Sequence, residues 1–160
     1  MDVALQTACD PALLAQLTRL AEEAFPGQPF SMEEEVARPW TRLWVAFVDS
    51  APSAFLVGWH VADELHILNV ATAPAMRRRG LGEAVLTSAL TYAKEHRVRI
   101  VLLEVRRSND PAIALYRKRA FSIFGVRKKY YADNDEDAIE MALALDPETG
   151  AILPRPDEPH

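Results

Sequence analysis

"ILNVATAPAMRRRGLGEAVL", residues 67–86, changes character halfway along. Its first six residues, Ile67 to Thr72, read as the end of a strand. From Gly80 onward Leu81, Val85, Ala89 and Ala93 recur at spacings of four, and Leu86 and Leu90 widen the stripe, as on one face of a helix. Between the two stand Arg77, Arg78 and Arg79, followed by Gly80 and Gly82. The first amide N–H groups of a helix have no acceptor within it and carry about half a positive charge, so they attract anions. Glycine removes the Cβ that would keep a ligand off the main chain. Arginines upstream add charge-assisted hydrogen bonds to phosphate oxygens. The pattern predicts a diphosphate cradle.

Upstream, Asp10-Pro11 opens a helix in which Leu13, Leu14, Leu17, Leu20, Ala21 and Ala24 keep helical spacing, after a short first strand over 3–7. "FPGQPF" (25–30) breaks that helix, and Ser31 to Glu34 reads as a capping box for a short one ending near Pro39. Strand-like runs follow at 43–49 and 54–61, separated by "SAPS". A two-residue turn at Ala62-Asp63 then leads into 64–72, which together make an antiparallel meander. Downstream of the helix at 80–96 come a nearly all-apolar strand (99–105), a helix (108–121) and two strands (122–129, 138–145) around the polar loop "YYADNDED". The expected order is β-α-α-β-β-β-α-β-α-β-β, an α/β (α+β) mixed sheet with antiparallel edges and parallel pairing in the middle. We expect one domain over 1–146 and a loose, proline-containing tail over 147–160.

Two familiar phosphate loops do not fit the turn. An ATP-type loop needs Lys-Ser/Thr after its last glycine, and Gly82 is followed by Glu83. A dinucleotide fingerprint would need glycine where Val85 stands, with the turn directly after the strand, but "APAMRRR" intervenes.

Charge is divided along the chain. Residues 76–131 hold 14 Lys and Arg against four acids, a surplus of +10, while the remainder holds four against 19, or −15, giving −5 overall. Such a split suits an anion at one surface and a cation at another, or simply a solvated face. A nucleic-acid surface is the alternative. It fits less well, because the basic residues are scattered over several elements with few interleaved aromatics. The single cysteine, Cys9, excludes an internal disulfide framework. No basic N-terminal region precedes an apolar core, and no apolar run approaches the roughly 20 residues of a membrane span. We therefore expect a cytoplasmic protein that is not bound to membranes. His60, His66 and His96 show no ligand spacing, so no metal is expected.

Arg77-x-x-Gly80-x-Gly82, placed between a strand and a helix, resembles the acetyl-CoA loop of the GCN5-related N-acetyltransferase (GNAT) family. "LLEVRRSNDPAIALYRKRAF" and "RKKYYADNDEDAIEMAL" extend the likeness over about residues 20–145. They resemble the RimI type, which acetylates the N-terminal alanine of a ribosomal protein. "AFP" at 24–26 fits the same type. The resemblance implies acetyl-CoA as cosubstrate. Backbone groups of Val70, Ala71 and Thr72 would meet the pantetheine arm. Arg77, Arg78, Arg79, Gly80, Leu81, Gly82 and Glu83 would hold the diphosphate, with Asn109 touching the cofactor arm. Glu104 would be the catalytic base and Tyr116 the acid, while Phe25, Pro26, Tyr130 and Tyr131 would grip the acceptor peptide. The family often has Gln where Arg77 stands, and the "FPGQPFSMEEEV" segment is longer than usual.

The chemistry these residues must perform is deprotonation of an amine. An N-terminal amine with pKa about 8 needs about one unit of help at pH 7, roughly 1.4 kcal/mol; a lysine near 10.4 needs over three, roughly 4.6 kcal/mol. One carboxylate suits the first better. Glu104 is the only charge within its apolar run, so it is either functional or ion-paired with Arg106 or a neighbouring strand. Tyr116 lies on an apolar helix face, where core packing is the simple alternative to protonating a thiolate. Asn109 and Asp110 also suit helix caps, and Glu33 to Glu35 suit the dipole of a first helical turn. The acceptor is therefore expected to be a protein N-terminus. A small amine such as a polyamine or antibiotic is the alternative.

Overall fold

The computed structural model describes residues 1–28 and 30–158. Pro29 of the "FPGQPF" break and residues 159–160 of the expected tail lie outside the described residues. The chain divides into two compact units, one of Met1–His60 with Leu68–Tyr92, the other of Val61–Ile67 with Ala93 onward.

The first unit holds β1 (Asp2–Leu5), α1 (Pro11–Ala24), α2 (Met32–Ala37), β2 (Thr41–Val48), most of β3 (Ala51–Val61), the second half of β4 (Glu64–Thr72) and most of α3 (Leu81–Glu95). Asp10 caps α1 by accepting from the Leu13 amide at 2.8 Å, with Pro11 supplying a pre-set φ behind it. Ser31 caps α2 by accepting from the Glu34 amide at 3.2 Å. β1 pairs antiparallel with β2, and β2 with β3. The β2–β3 turn is tighter than the "SAPS" spacing suggests. Asp49 and Ser50 both take positive φ (50° and 65°), the geometry that matches the twist of a two-residue hairpin. Pro52 therefore falls inside β3, beside a register shift at Ala46/Phe47 where a missing donor is tolerated.

Alternation along these strands sorts their side chains. Leu43, Val45, Phe55 and Val57 bury against Leu17, Leu20, Ala21 and Met32 of α1 and α2. Trp44, on the opposite face, meets Tyr92 of α3 edge-on at 5.3 Å. Leu17 and Phe55 are fully enclosed, and each such burial contributes about 1.5–3 kcal/mol. The two faces thus carry helices on both sides of the strands.

The second unit contains the first half of β4, β5 (Ile100–Arg106), α4 (Asp110–Lys118), β6 (Ser122–Tyr131), β7 (Glu136–Leu145) and β8 (Ile152–Leu153). β4 pairs parallel with β5 from Glu64↔Ile100 to Ile67↔Leu103. β5 then pairs antiparallel with β7, and β7 with β6. This is the mixed sheet the sequence implies. β5 is not uniformly buried: Val101, Leu103 and Val105 are enclosed, while Leu102, Glu104 and Arg106 share the opposite, half-open face. Two expected boundaries move. The helix of 108–121 runs only from Asp110 to Lys118, because Ala120 turns to φ 71° and sends Phe121 into the core. The loop "YYADNDED" shrinks to 132–135, since Tyr130, Tyr131, Glu136 and Asp137 belong to strands. Beyond β7, β8 pairs with its last two residues, and Asp157 Oδ1 accepts from the Ile123 amide at 2.9 Å. Among the described residues no helix is long and apolar enough to cross a membrane.

Candidate active site

In the first unit the strand-to-helix turn carries the three arginines and both glycines. After β4 a single 3-10 turn, Pro74–Met76, leads through Arg78 (φ 66°) and Gly80 (φ 76°) into α3. Arg78 in this left-handed region is a strained position for a residue with a Cβ, costing on the order of 1–2 kcal/mol. Open space surrounds the position of a Gly80 Cβ, and one at Gly82 would meet Thr72 Oγ1 at 3.8 Å and Val70 Cγ1 at 4.0 Å. The first helical bond of α3 is Ala84 N–H to Gly80 O at 3.0 Å. Among the described residues, the amides of 78–82 find no acceptor, and the exposed guanidinium groups of Arg77, Arg78 and Arg79 have no anionic partner. Unsatisfied donors in sequence, flanked by unpaired cations, fit an acidic diphosphate. Val70 and Thr72 are half-buried and Ala71 points into the core, so side chains of 70–72 alternate while their main chain runs beyond the last register pair with β5. Phe25 ends α1, its amide donating to Ala21 O at 2.8 Å, and packs on the core; Pro26 beside it is exposed.

In the second unit Glu104 is bound to a residue that sequence reasoning set aside. His66 Nε2 lies 2.7 Å from Glu104 Oε2, a contact made possible because parallel pairing puts His66 opposite Leu102, two residues from Glu104. Arg127 Nη2 stands 3.9 Å from Glu104 Oε1. The hydrogen bond from His66 is the main cause holding the Glu104 carboxyl below the usual carboxylate range. Charges on His66 and Arg127 act the same way, and burial opposes them. Arg127 is itself held by Glu140, Nε to Oε2 at 3.2 Å, and its guanidinium lies 5.5 Å from the Tyr130 ring. Gly125 makes room for this arrangement, since a Cβ there would come within 2.7 Å of Glu140 Oε1.

Arg106, the other partner considered for Glu104, turns instead to the β6–β7 connection. It donates to both oxygens of Asp133 at 3.1 Å and to Glu136 Oε1 at 3.4 Å, and stacks on Tyr131 at 4.0 Å from the ring centre. Tyr131 packs edge-on to Tyr130 with ring centres 5.1 Å apart. Burial pushes the Tyr131 phenol up to about 12, and the Glu104 charge adds to that shift. Tyr116 is likewise pushed up to about 12, chiefly by burial, with a contribution from Tyr131. The Tyr131 phenol therefore feels the Glu104 charge, and Tyr116 feels that of Tyr131. Asn109 accepts from the Ala112 amide at 3.3 Å, which makes it the cap of α4. No group of three His, Cys, Asp or Glu able to hold a metal occurs among the described residues. The roles of His66 and Arg127, and the true partners of Arg106, escaped the sequence because they depend on strand register, which no local pattern encodes.

A model of the acetyltransferase (GNAT) family matches residues 13–121. The chain belongs to that family. It is 38% identical over 112 residues to a protein of Bacillus subtilis named putative ribosomal protein bS18-alanine N-acetyltransferase, covering 70% of this chain and 74% of that one. The Escherichia coli ribosomal protein bS18-alanine N-acetyltransferase is 40% identical over 95 residues, 58% of this chain and 64% of that one. A crystal structure of the E. coli ribosomal-protein-S18-alanine N-acetyltransferase superposes with a TM-score of 0.79 at 28% identity, covering 89% of this chain and 94% of that one.

Proposed function

We propose that this protein transfers an acetyl group from acetyl-CoA to the N-terminal α-amine of a protein, in the cytoplasm, with an alanine-initiated ribosomal protein as its first candidate acceptor. The observation that carries the transfer reading is the run of amides at 78–82, which with Arg77, Arg78 and Arg79 has no acceptor or anionic partner among the described residues. In this reading that run, with Arg77 and Glu83, holds the diphosphate, main-chain groups of Val70, Ala71 and Thr72 meet the pantetheine arm, and Asn109 adds a contact. The names of the Bacillus and E. coli relatives support the acceptor.

Glu104 acts on the incoming ammonium, but not as its base. Its carboxyl lies below the usual range. Taking a proton directly from an ammonium of pKa about 8 would therefore run uphill by more than about 5 kcal/mol. His66 Nε2 lies on the Glu104 carboxylate and holds it in place. Glu104, held by His66, attracts and orients the ammonium. The proton leaves to bulk water, which at pH 7 costs about 1.4 kcal/mol for a pKa of about 8, and the freed amine attacks the thioester carbonyl. When the carbon–sulfur bond breaks, Tyr116 donates a hydrogen bond to the departing thiolate. A phenol near 12 keeps its proton against a thiol near 8.5, so the contribution is stabilisation and not full transfer. Phe25, Pro26, Tyr130 and Tyr131 contact the first acceptor residues.

The test is an acetylation assay on matched peptides: one beginning with alanine, the same peptide N-terminally blocked, the blocked peptide carrying a lysine, and a panel of polyamines. Acetylation of the free alanine peptide alone is expected. Equal turnover of the blocked lysine peptide or of a polyamine would overturn the acceptor assignment.

A further inference from the structure

A second cleft lies in the first unit, at the opposite end of the strands from the cradle. Ala73 N–H donates to Ser53 O at 2.9 Å, tying the exit of β4 to the start of β3. The cleft instead borders Thr41, whose register partner is Trp59 near the other end of β3. Six residues of strand separate Ser53 from Trp59, about 20 Å. The cleft has a volume of about 490 Å³ and is lined by residues 5–9, the end of α2 with Pro39, and residues 41–43. That volume falls within the roughly 300–1,000 Å³ of small-molecule sites.

Its lining carries two arginines and no acid, in a chain whose net charge is −5. Arg38 is paired with Glu35 at 2.9 Å. Among the described residues Arg42 is paired with no carboxylate. Its Nε donates to Tyr92 Oη at 3.0 Å and its Nη1 to the carbonyls of Pro39 at 2.8 Å and Thr41 at 3.0 Å, all neutral acceptors. Those contacts fix the guanidinium while Nη2 has no partner among the described residues. Glu35 is engaged elsewhere, accepting from Trp59 Nε1 at 2.9 Å and Thr41 Oγ1 at 3.3 Å as well as pairing with Arg38. A half-buried cation held rigidly, with open donors and no counter-ion, favours an incoming oxyanion. Leu5, Val36 and Leu43 complete the lining with apolar surface.

We propose that this cleft is a second binding site, separate from the cradle, for a small amphipathic oxyanion. Its ligand carries a carboxylate or phosphate head, bound by Arg42, on a short apolar body lying against Leu5, Val36 and Leu43. Nothing in this inference depends on the acceptor of acetyl transfer.

The test titrates the isotope-labelled full chain with hexanoate, hexyl phosphate and, as the charge control, hexylammonium, following amide and Arg42 Nε–H signals by NMR. Saturable shifts at residues 6–9 and 41–43 are expected with one or both oxyanions, the stronger identifying the head group, and none with hexylammonium. Arg42→Gln should weaken binding at least tenfold, about 1.4 kcal/mol. Since Arg42 also braces Tyr92, Ala8→Trp provides a second variant that fills the cleft from an exposed coil position. It should abolish the shifts while acetyl-CoA still raises the melting temperature. The proposal is overturned by an absence of saturable shifts, by equal shifts with hexylammonium, by shifts confined to 78–83, or by oxyanion binding that survives both Arg42→Gln and Ala8→Trp.

Discussion

Glu104 is subject to opposing influences: burial favours its neutral form, while His66 and Arg127 favour the anion, and the anion wins. A residue in that state orders a cationic amine well and removes its proton poorly, so its effect on turnover should depend on how much ammonium must be discharged. Glu104→Gln keeps the shape and a hydrogen-bond acceptor for His66 but removes the charge. We expect kcat/KM for an alanine peptide to fall on the order of a hundredfold near pH 7. The deficit should shrink as pH rises past the amine's own pKa of about 8, where free amine no longer needs a base. His66→Gln should give a smaller loss with the same pH trend. A deficit that stays constant across pH 6–10, on a scale of roughly the amine's titration range, would show that Glu104 does not act on the ammonium.

The hairpin of β6 and β7 is an element whose geometry depends on one side chain from β5. Arg106 is largely enclosed, and it ties Asp133 and Glu136 to the strand while supporting the Tyr131 ring from below. Glu136 in turn accepts from the Ser108 amide at 2.7 Å, so the start of β7 and the loop before α4 share the same anchor. Arg106→Ala should loosen 132–135 and destabilise the fold by about 1–3 kcal/mol, the usual cost of stranding charged hydrogen-bond partners. If Tyr130 and Tyr131 contact the acceptor, its KM should rise several-fold while the affinity for acetyl-CoA stays unchanged. Arg106→Lys retains the charge but loses the fork and the stack, and should recover little. Steady-state kinetics with each substrate varied in turn, alongside thermal melts, separate these outcomes. The same hairpin shows what could and could not be read beforehand. Local patterns gave most elements correctly, because caps such as Asp10 and Ser31 and the spacing of four in α3 are written in adjacent residues. The turn at Asp49-Ser50, the early end of α4 and the long β6 were missed, since each is decided by pairing or packing with distant chain. For the same reason Glu104 could be picked out as an isolated charge, while its partner His66, 38 positions away, could not.

For the molecule as a whole, ligand binding and proton binding both report on the proposed chemistry through stability. Acetyl-CoA at a hundred times its dissociation constant should stabilise the native state by about 2.7 kcal/mol. For a chain of this size that is a rise in melting temperature of roughly 5–11 °C. Gly82→Glu, which puts an anion at the mouth of α3, should abolish the rise without unfolding the protein, because the site of the new Cβ has only ordinary contacts. Protons act at the two ends of the scale. Glu104, Glu136 and Asp137 are held below their ordinary values, Glu104 first by His66, Glu136 by Ser108 and Asp137 by the Lys129 amide. Their contribution is complete above about pH 4.3 and is lost as pH falls through the lowered values. Tyr116 behaves in the opposite sense. Burial lifts its phenol to about 12, so between about pH 10 and 12 the native state keeps a proton that the unfolded chain has released. Stability must therefore fall as pH rises through that window, by up to about 3 kcal/mol from this one group. Tyr116→Phe preserves the packing on Phe121 and removes the titration. Denaturant melts from pH 9 to 12, the range set by the phenol's ordinary value of about 10, should show a steep decline in the parent and a shallower one in the variant, which should also turn over more slowly. If the two curves run parallel, the Tyr116 phenol is not held in its neutral form by the fold, and its role as a donor to the departing sulfur loses its physical basis.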